Sequence, residues 1–371
     1  MRILPLVFIL LIFGSSCIDM LDIDTGTASS FPLAIDGFIS DQPGPYEVKL
    51  NKAFDIQSKI VFKTAVSARK VTISDDHGNS ENLTQITQGV YRTRTGGIHG
   101  VIGRAYKLRV ELLDGRIYES IPDTIYRAGK VDSVYHRFRS EVTEGGALKY
   151  GFDVYFDSSP ETKNNFRYLW KFAGTFQVET NPELYDTICE AGRCPKPLLC
   201  SGYKLNKGTD SIQYVGLCAC CTCWSTFFND ELVLSDNQFV VNGRFNNIKV
   251  AYVPVTPWTF MYKVHSEVSQ WSLSQQAFDF WKSVKAQKNA SASLFQPITG
   301  KVPANFVQLS GTPAPVEGLF YAASAVSKSI YITRNDVSPQ SIIPPQNLPF
   351  KNSCLKLFPN TTLTKPSYWV N

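Results

Sequence analysis

Period-two alternation of apolar residues, broken repeatedly by turn-forming clusters, constrains this chain more than any other feature of its sequence. Leu33, Ile35, Gly37 and Ile39 share one face of a run that stops at Asp41-Gln42-Pro43-Gly44-Pro45. Tyr46, Val48 and Leu50 repeat the pattern, as do Tyr106, Leu108 and Val110. Successive side chains of a strand point to opposite faces, so each run has one face to bury. Val71 and Ile73 lead into Asp75-Asp76-His77-Gly78-Asn79, and Asp114-Gly115 precedes Arg116–Ser120. Asp, Asn and Gly there favour tight hairpin turns. Residues 31–128 therefore read as an immunoglobulin-like antiparallel β-sandwich.

Ala128-Gly129-Lys130 is a plausible junction, and a chain of 371 residues has room for two or three domains. A second β-rich domain is expected over 129–371, making the fold class all-β. Its strands begin at Val131–Phe138, continue through Phe152, Val154 and Phe156 and parts of Phe166–Val178, and resume at Phe239–Val241, Ile248–Val253 and Phe260–His265. Leu319–Ala325 and Ser329–Arg334 are expected to close this domain. One helix is predicted, over Leu273–Lys288. Ala277, Phe278, Trp281 and Val284 lie on one of its faces, and Ser272 or Ser274 is available as N-cap.

Nine cysteines are present. Apart from Cys17 and Cys354, they are Cys189, Cys194, Cys200, Cys218, Cys220, Cys221 and Cys223, within an insertion over 181–223 that interrupts the second series. In an oxidising compartment such a set reads as disulfides. The dense Cys218–Cys223 cluster also raises a metal-thiolate alternative, but no histidine lies near it. At least three disulfides are predicted, with Cys354 tying the tail back to the insertion. Composition does not choose among the roughly one hundred pairings that eight cysteines allow.

The N-terminus points to export. Arg2 precedes an apolar run, Ile3–Phe13, which is shorter than the roughly 20 residues of a membrane-spanning helix. Gly14-Ser15-Ser16 then leads into Cys17. Residues 1–16 read as a signal peptide, and Cys17 resembles the lipid-bearing cysteine of bacterial lipoproteins; the competing reading is a secreted protein with an incidental cysteine. Acyl chains there would anchor the chain to a membrane. Residues 17–30, with Asp19, Asp22 and Asp24, form a tether that reaches about 40 Å at most. Its acidic residues resemble a surface-export signal, which favours display on the outer leaflet of the outer membrane.

Several segments together resemble a known family. They are Ile35-Asp36-Gly37-Phe38-Ile39-Ser40-Asp41-Gln42-Pro43-Gly44-Pro45-Tyr46, Gly103-Arg104-Ala105-Tyr106-Lys107-Leu108 and Asp114-Gly115-Arg116-Ile117-Tyr118-Glu119-Ser120 near the front. Cys223-Trp224, Gln270-Trp271-Ser272-Leu273-Ser274, Phe280-Trp281 and Lys365-Pro366-Ser367-Tyr368-Trp369 extend the match. The chain resembles the Bacteroidota lipoproteins known as domain of unknown function 4249. That resemblance implies a surface or outer-membrane lipoprotein whose gene commonly lies near TonB-dependent transporters, with no established activity. The family usually has a close cysteine pair where only Cys354 stands here, so no pairing is carried over. Thr124, Ser133, Thr187 and Ser211, each after an Asp and before an apolar residue, resemble O-glycosylation sites on exported proteins of that group.

No catalytic constellation is legible. His77, His99, His136 and His265 are scattered, and the Asp75–Asn79 segment reads as a plain turn rather than a cation loop. Hydrolase and phosphate-binding signatures are missing, and no Lys/Arg run marks a nucleic-acid partner. No catalytic residue, metal or cofactor is assigned. The expectation is a non-catalytic accessory or binding subunit of a TonB-dependent transporter, another barrel protein or an envelope assembly. The runner-up is a surface hydrolase acting on polysaccharide or peptide.

Overall fold

The computed structural model describes residues 32–52, 64–143, 145–161, 166–190, 192–206, 208–209, 211–235, 240–241, 243–291, 302, 304–339 and 350–370. The expected signal peptide, Cys17 and the tether lie outside the described residues, as do Phe239 and Asp210.

In chain order come β1 (Leu33–Ser40), β2 (Glu47–Lys52), β3 (Ala68–Asp75), β4 (Ser80–Asn82) and β5 (Thr84–Thr87). Next are β6 (Val90–Arg92), β7 (Ala105–Leu112), β8 (Ile117–Ser120) and β9 (Asp123–Thr124). The second series starts with β10 (Lys130–Val142), β11 (Leu148–Ser159) and β12 (Tyr168–Glu179). Four short strands follow: β13 (Asp186–Cys189), β14 (Gly192–Pro195), β15 (Tyr203–Asn206) and β16 (Ser211–Tyr214). β17 (Thr222–Phe228), β18 (Val233–Leu234), β19 (Val240–Val241), β20 (Arg244–Pro254) and β21 (Lys263–Ser272) precede the helix α1 (Gln275–Ser291). β22 (Phe306–Ser310), β23 (Val316–Ala323), β24 (Ala325–Thr333) and β25 (Thr361–Thr362) come last.

The first body stacks two sheets, β23-β1-β2-β6-β5 and β22-β8-β7-β3-β4, with β9 also paired to β7. The expected alternation holds. Tyr106, Leu108, Val110 and Leu112 of β7 are buried, whereas the residues between them are half-buried. Leu33, Ile35, Gly37 and Ile39 of β1 point inward too. Each large apolar side chain buried this way contributes about 1.5–3 kcal/mol. Gly115, at φ 87°, makes the β7–β8 turn in the left-handed region that glycine enters without Cβ strain.

A sandwich complete within 31–128, and antiparallel throughout, is corrected by the topology. β22 pairs with β8, placing Phe306 opposite Ser120. β23 runs parallel to β1, from Leu33 opposite Val316 to Ser40 opposite Ala323. Leu319–Ala323 therefore completes the first body instead of closing the second. The physical reason is that Leu319, Phe320, Tyr321, Ala322 and Ala323 are all buried, so β23 is covered on both faces. A strand buried on two faces shows no alternation from which a partner can be read.

The second body packs the sheet β10-β11-β20-β19 on β24-β21-β12-β17-β25, with β18 added to β12. Phe152, Val154 and Phe156 meet Trp170, Phe172, Phe245, Val264 and Val268 in its core. The Trp170 ring lies 5.1 Å from Phe156 and 5.0 Å from Phe245. Ser274 caps α1, its hydroxyl accepting the Ala277 N–H at 3.1 Å, and Phe278 and Trp281 turn toward the first body.

Between the bodies lies a third core of Leu169, Leu273, Ala277, Leu319, Tyr321 and Ala323. Buried polar groups fasten it. Gln270 accepts the Trp170 indole N–H at 2.7 Å and donates to the Ala128 carbonyl. Ser272 donates to Tyr126 and accepts the Ser324 N–H at 3.0 Å. Asp41 accepts the Ala325 N–H at 2.9 Å and the Ser324 hydroxyl. The junction at Ala128 is thus a bonded joint, not a free linker.

Lys171 stands at the edge of this core. Its Nζ lies 4.1 Å from the Trp271 ring centre and 5.6 Å from that of Phe38. Burial pushes its pKa from 10.5 down to about 8, with the Asp36 charge opposing. Between those values the unfolded chain keeps a proton that the folded chain has released, so stability rises with pH through the window. Below it, the charged lysine costs about 3 kcal/mol, offset by about 1–2 kcal/mol of cation–π attraction. Lys171→Met is expected to stabilise the protein by about 1–2 kcal/mol at pH 7. Urea unfolding at pH 7 and above pH 10.5 checks this, since the gain should vanish at the higher pH.

Candidate interaction surface

The insertion is built from local hairpins too short to carry a core. β13 pairs with β14, and β15 with β16. Four disulfides replace the missing core: Cys189–Cys194, Cys200–Cys220, Cys218–Cys221 and Cys223–Cys354. The expectation of at least three is met, and Cys354 does tie the tail to the end of the insertion. With all eight cysteines beyond Cys17 paired, the metal-thiolate alternative falls. Among the described residues no group of His, Cys, Asp or Glu is placed to hold a metal ion.

Backbone bonds brace the same region. Ala219 N–H donates to Cys200 O at 2.8 Å, and Val215 N–H to Gly202 O at 2.7 Å. Asp186 accepts from Lys351 of the tail and from Arg193, both at 2.8 Å. The Lys351 hydrogen bond, then the Arg193 charge, holds the Asp186 carboxyl below its usual range.

This disulfide-braced insertion exposes large apolar side chains. Leu199 is 94% exposed, Ile188 91% and Leu217 89%. Each immediately precedes a bridged cysteine: Cys200, Cys189 and Cys218. Tyr214 and Val215 are exposed nearby in the chain. Single exposed apolar residues are ordinary; here three nearly fully exposed ones fall within one disulfide-stapled segment. The insertion is legible in the cysteine spacing, whereas the exposure of these residues is not. The available signal was an apolar residue directly before a stapled cysteine.

The proposed glycosylation triplets differ in setting. Asp123, buried, accepts the Ala322 N–H at 2.8 Å, which places Thr124 inside the sheet framework. The Ser133 hydroxyl donates to Asp157 at 2.7 Å, and Asp132 accepts from Ser159. Thr187 is half-buried opposite Cys194. Ser211 is exposed at the start of β16.

The histidines form no common site. His77 and His99 are exposed. His136 lies 4.0 Å from Asp336. His265 is buried and stacked on Tyr368 at 4.2 Å, and burial pushes its pKa down. Asp75 accepts the backbone N–H groups of His77 and Asn79 and pairs with Arg104 at 3.0 Å, so its oxygens serve the turn.

Two segments of the sequence resemblance converge on the joint between the bodies, Asp41 and Phe38 from one and Gln270 through Ser274 from the other. Among curated proteins, none matches the chain. No helix among the described residues is long and apolar enough to cross a membrane. The family model described as Domain of unknown function (DUF4249) matches residues 18–329, across both bodies, and the chain belongs to that family.

Proposed function

We propose that this chain is a lipid-anchored protein of the outer membrane, displayed at the cell surface as a non-catalytic binding subunit of a TonB-dependent transporter or another barrel assembly. The observation that carries this reading is the stapled insertion with Ile188, Leu199 and Leu217 held almost fully in solvent. A surface ordered in advance loses little conformational freedom on docking, and apolar anchors at its centre supply the binding energy. Paired cysteines throughout agree with an oxidising, extracytoplasmic compartment. Cys17 supplies the anchor.

Native membranes provide the test. The wild-type protein is expected in the membrane fraction with lipid mass on Cys17, together with a stoichiometric barrel partner. Cys17→Ser is expected to be released or left unprocessed. Leu199→Asp with Leu217→Asp should lose the partner while keeping the wild-type circular dichroism and melting temperature, because both side chains already face water. Wild-type protein found wholly soluble and without lipid would overturn the anchoring. Turnover of a polysaccharide or peptide, abolished by a single carboxylate substitution, would favour the hydrolase instead.

A further inference from the structure

A second site lies at the joint, far in sequence from the insertion. A cleft of about 370 Å³ opens between β1, β12, β23 and α1, within the size range of small-ligand pockets. Phe38, Trp281 and Tyr321 supply aromatic walls. Lys171 also lines it, and makes no hydrogen bond or ion pair with any described residue. The acidic residues of the lining, Asp36, Asp230 and Glu231, are all exposed, whereas Tyr321 is buried. The cleft is therefore apolar along its walls, acidic at its mouth and cationic within.

That charge order selects a ligand. A simple anion is repelled at the mouth, and a simple cation is repelled by Lys171. A neutral apolar molecule leaves a desolvated ammonium offset only by the charge of the exposed Asp36, which is costly. A molecule with a carboxylate, an ammonium and an apolar body answers all three features. We propose that this cleft binds a small zwitterion, an apolar amino acid or a dipeptide, with its carboxylate on Lys171, its ammonium toward the acidic mouth and its side chains on the aromatic walls. The depressed basicity of Lys171 shows that burial outweighs the Asp36 charge, so a ligand carboxylate would add to an offset that is incomplete. This reading stands independently of the insertion surface, so either can fail alone.

Calorimetric titration of the purified full chain with leucyl-phenylalanine tests it. One saturable site is expected, with a change in tryptophan fluorescence. Amidation of the dipeptide's carboxylate should weaken binding by about tenfold or more, the size of a lost charge-assisted contact. N-acetylation should weaken it severalfold. Lys171→Met should weaken binding of the free dipeptide about as much as amidation does, whereas Lys263→Ala, outside the cleft, should leave it unchanged. Affinity should also fall as pH rises past about 8, where Lys171 loses its proton. Absence of saturable binding, or affinity indifferent to amidation, overturns the proposal. The amidated ligand keeps the test decisive even if Lys171→Met folds poorly.

Discussion

Replacing Cys223 and Cys354 together by alanine is expected to lower unfolding stability by about 5 kcal/mol in the loop-entropy account. The bridge joins residues 131 apart, so its loss releases much of the unfolded chain. The control is the Cys189–Cys194 pair, only 5 residues apart, whose removal should cost about 2 kcal/mol. The long bridge matters for a second reason. Both sulfurs are fully buried in the second core, beside Phe176 and Val178. The tail keeps other holds on the body. Asn181 N–H donates to Phe350 O at 2.7 Å, β25 pairs with β17, and the Trp369 indole donates to Gln177 at 3.1 Å. The double variant should therefore reach the native fold and unfold at lower denaturant. Guanidinium titrations of the two alanine pairs under non-reducing conditions compare them, and equal losses would contradict the entropic account.

Gly318→Ala is expected to be comparably severe. Gly318 sits at φ +106°, directly opposite Ile35 in the parallel pair. A Cβ there would lie 1.9 Å from the Ile35 carbonyl oxygen. Backbone strain of about 1–3 kcal/mol adds to the cost of pushing β1 and β23 apart. The damage would spread, because Phe320 and Ala322 fill the first core while Leu319, Tyr321 and Ala323 fill the core between the bodies. A total loss of about 3–5 kcal/mol is expected, with faster hydrogen exchange at the β1 amides. Gly96→Ala is the matched control. It has φ +72° and nothing within 4 Å of an added Cβ, so it should cost about 1–2 kcal/mol. A melting temperature for Gly318→Ala no lower than for Gly96→Ala would show that the pair tolerates the intrusion.

Local periodicity made much of the fold legible. The inward faces of β1 and β7, the hairpin at Asp114-Gly115 and the Ser274 cap on α1 all follow from residues within a few positions of one another. Non-local pairing was not legible. Nothing within Val316–Ala323 indicates that its partner is Leu33–Ser40, since a strand buried on both faces reads the same whichever sheet holds it. The same limit hid the cleft, which needs Phe38, Lys171, Trp281 and Tyr321 from four distant segments. It also hid the work of Gln270 and Ser272, whose polarity reads as strand surface until Trp170, Ala128 and Ser324 close around them. The disulfide pairing was hidden by the number of combinations, although the tie between Cys354 and the insertion was anticipated.

The parallel pairing of β1 with β23 sets an order of assembly. A ribosome makes Leu33 long before Val316, its eventual neighbour, and most of the second body lies between them. While the chain emerges, β1 carries β2 on one side and an open row of amides and carbonyls on the other, a template for wrong partners. The second body needs no strand from the first, and once β24 is made it lacks only β25 and the tail. It then delivers β23, the segment just before β24, to the waiting edge. The N-terminal body is thus begun first and finished only after most of the second is made, and a nascent chain halted before residue 316 holds an incomplete first sheet. A chaperone that shields β1 during that interval would govern yield without altering the stability of the finished protein.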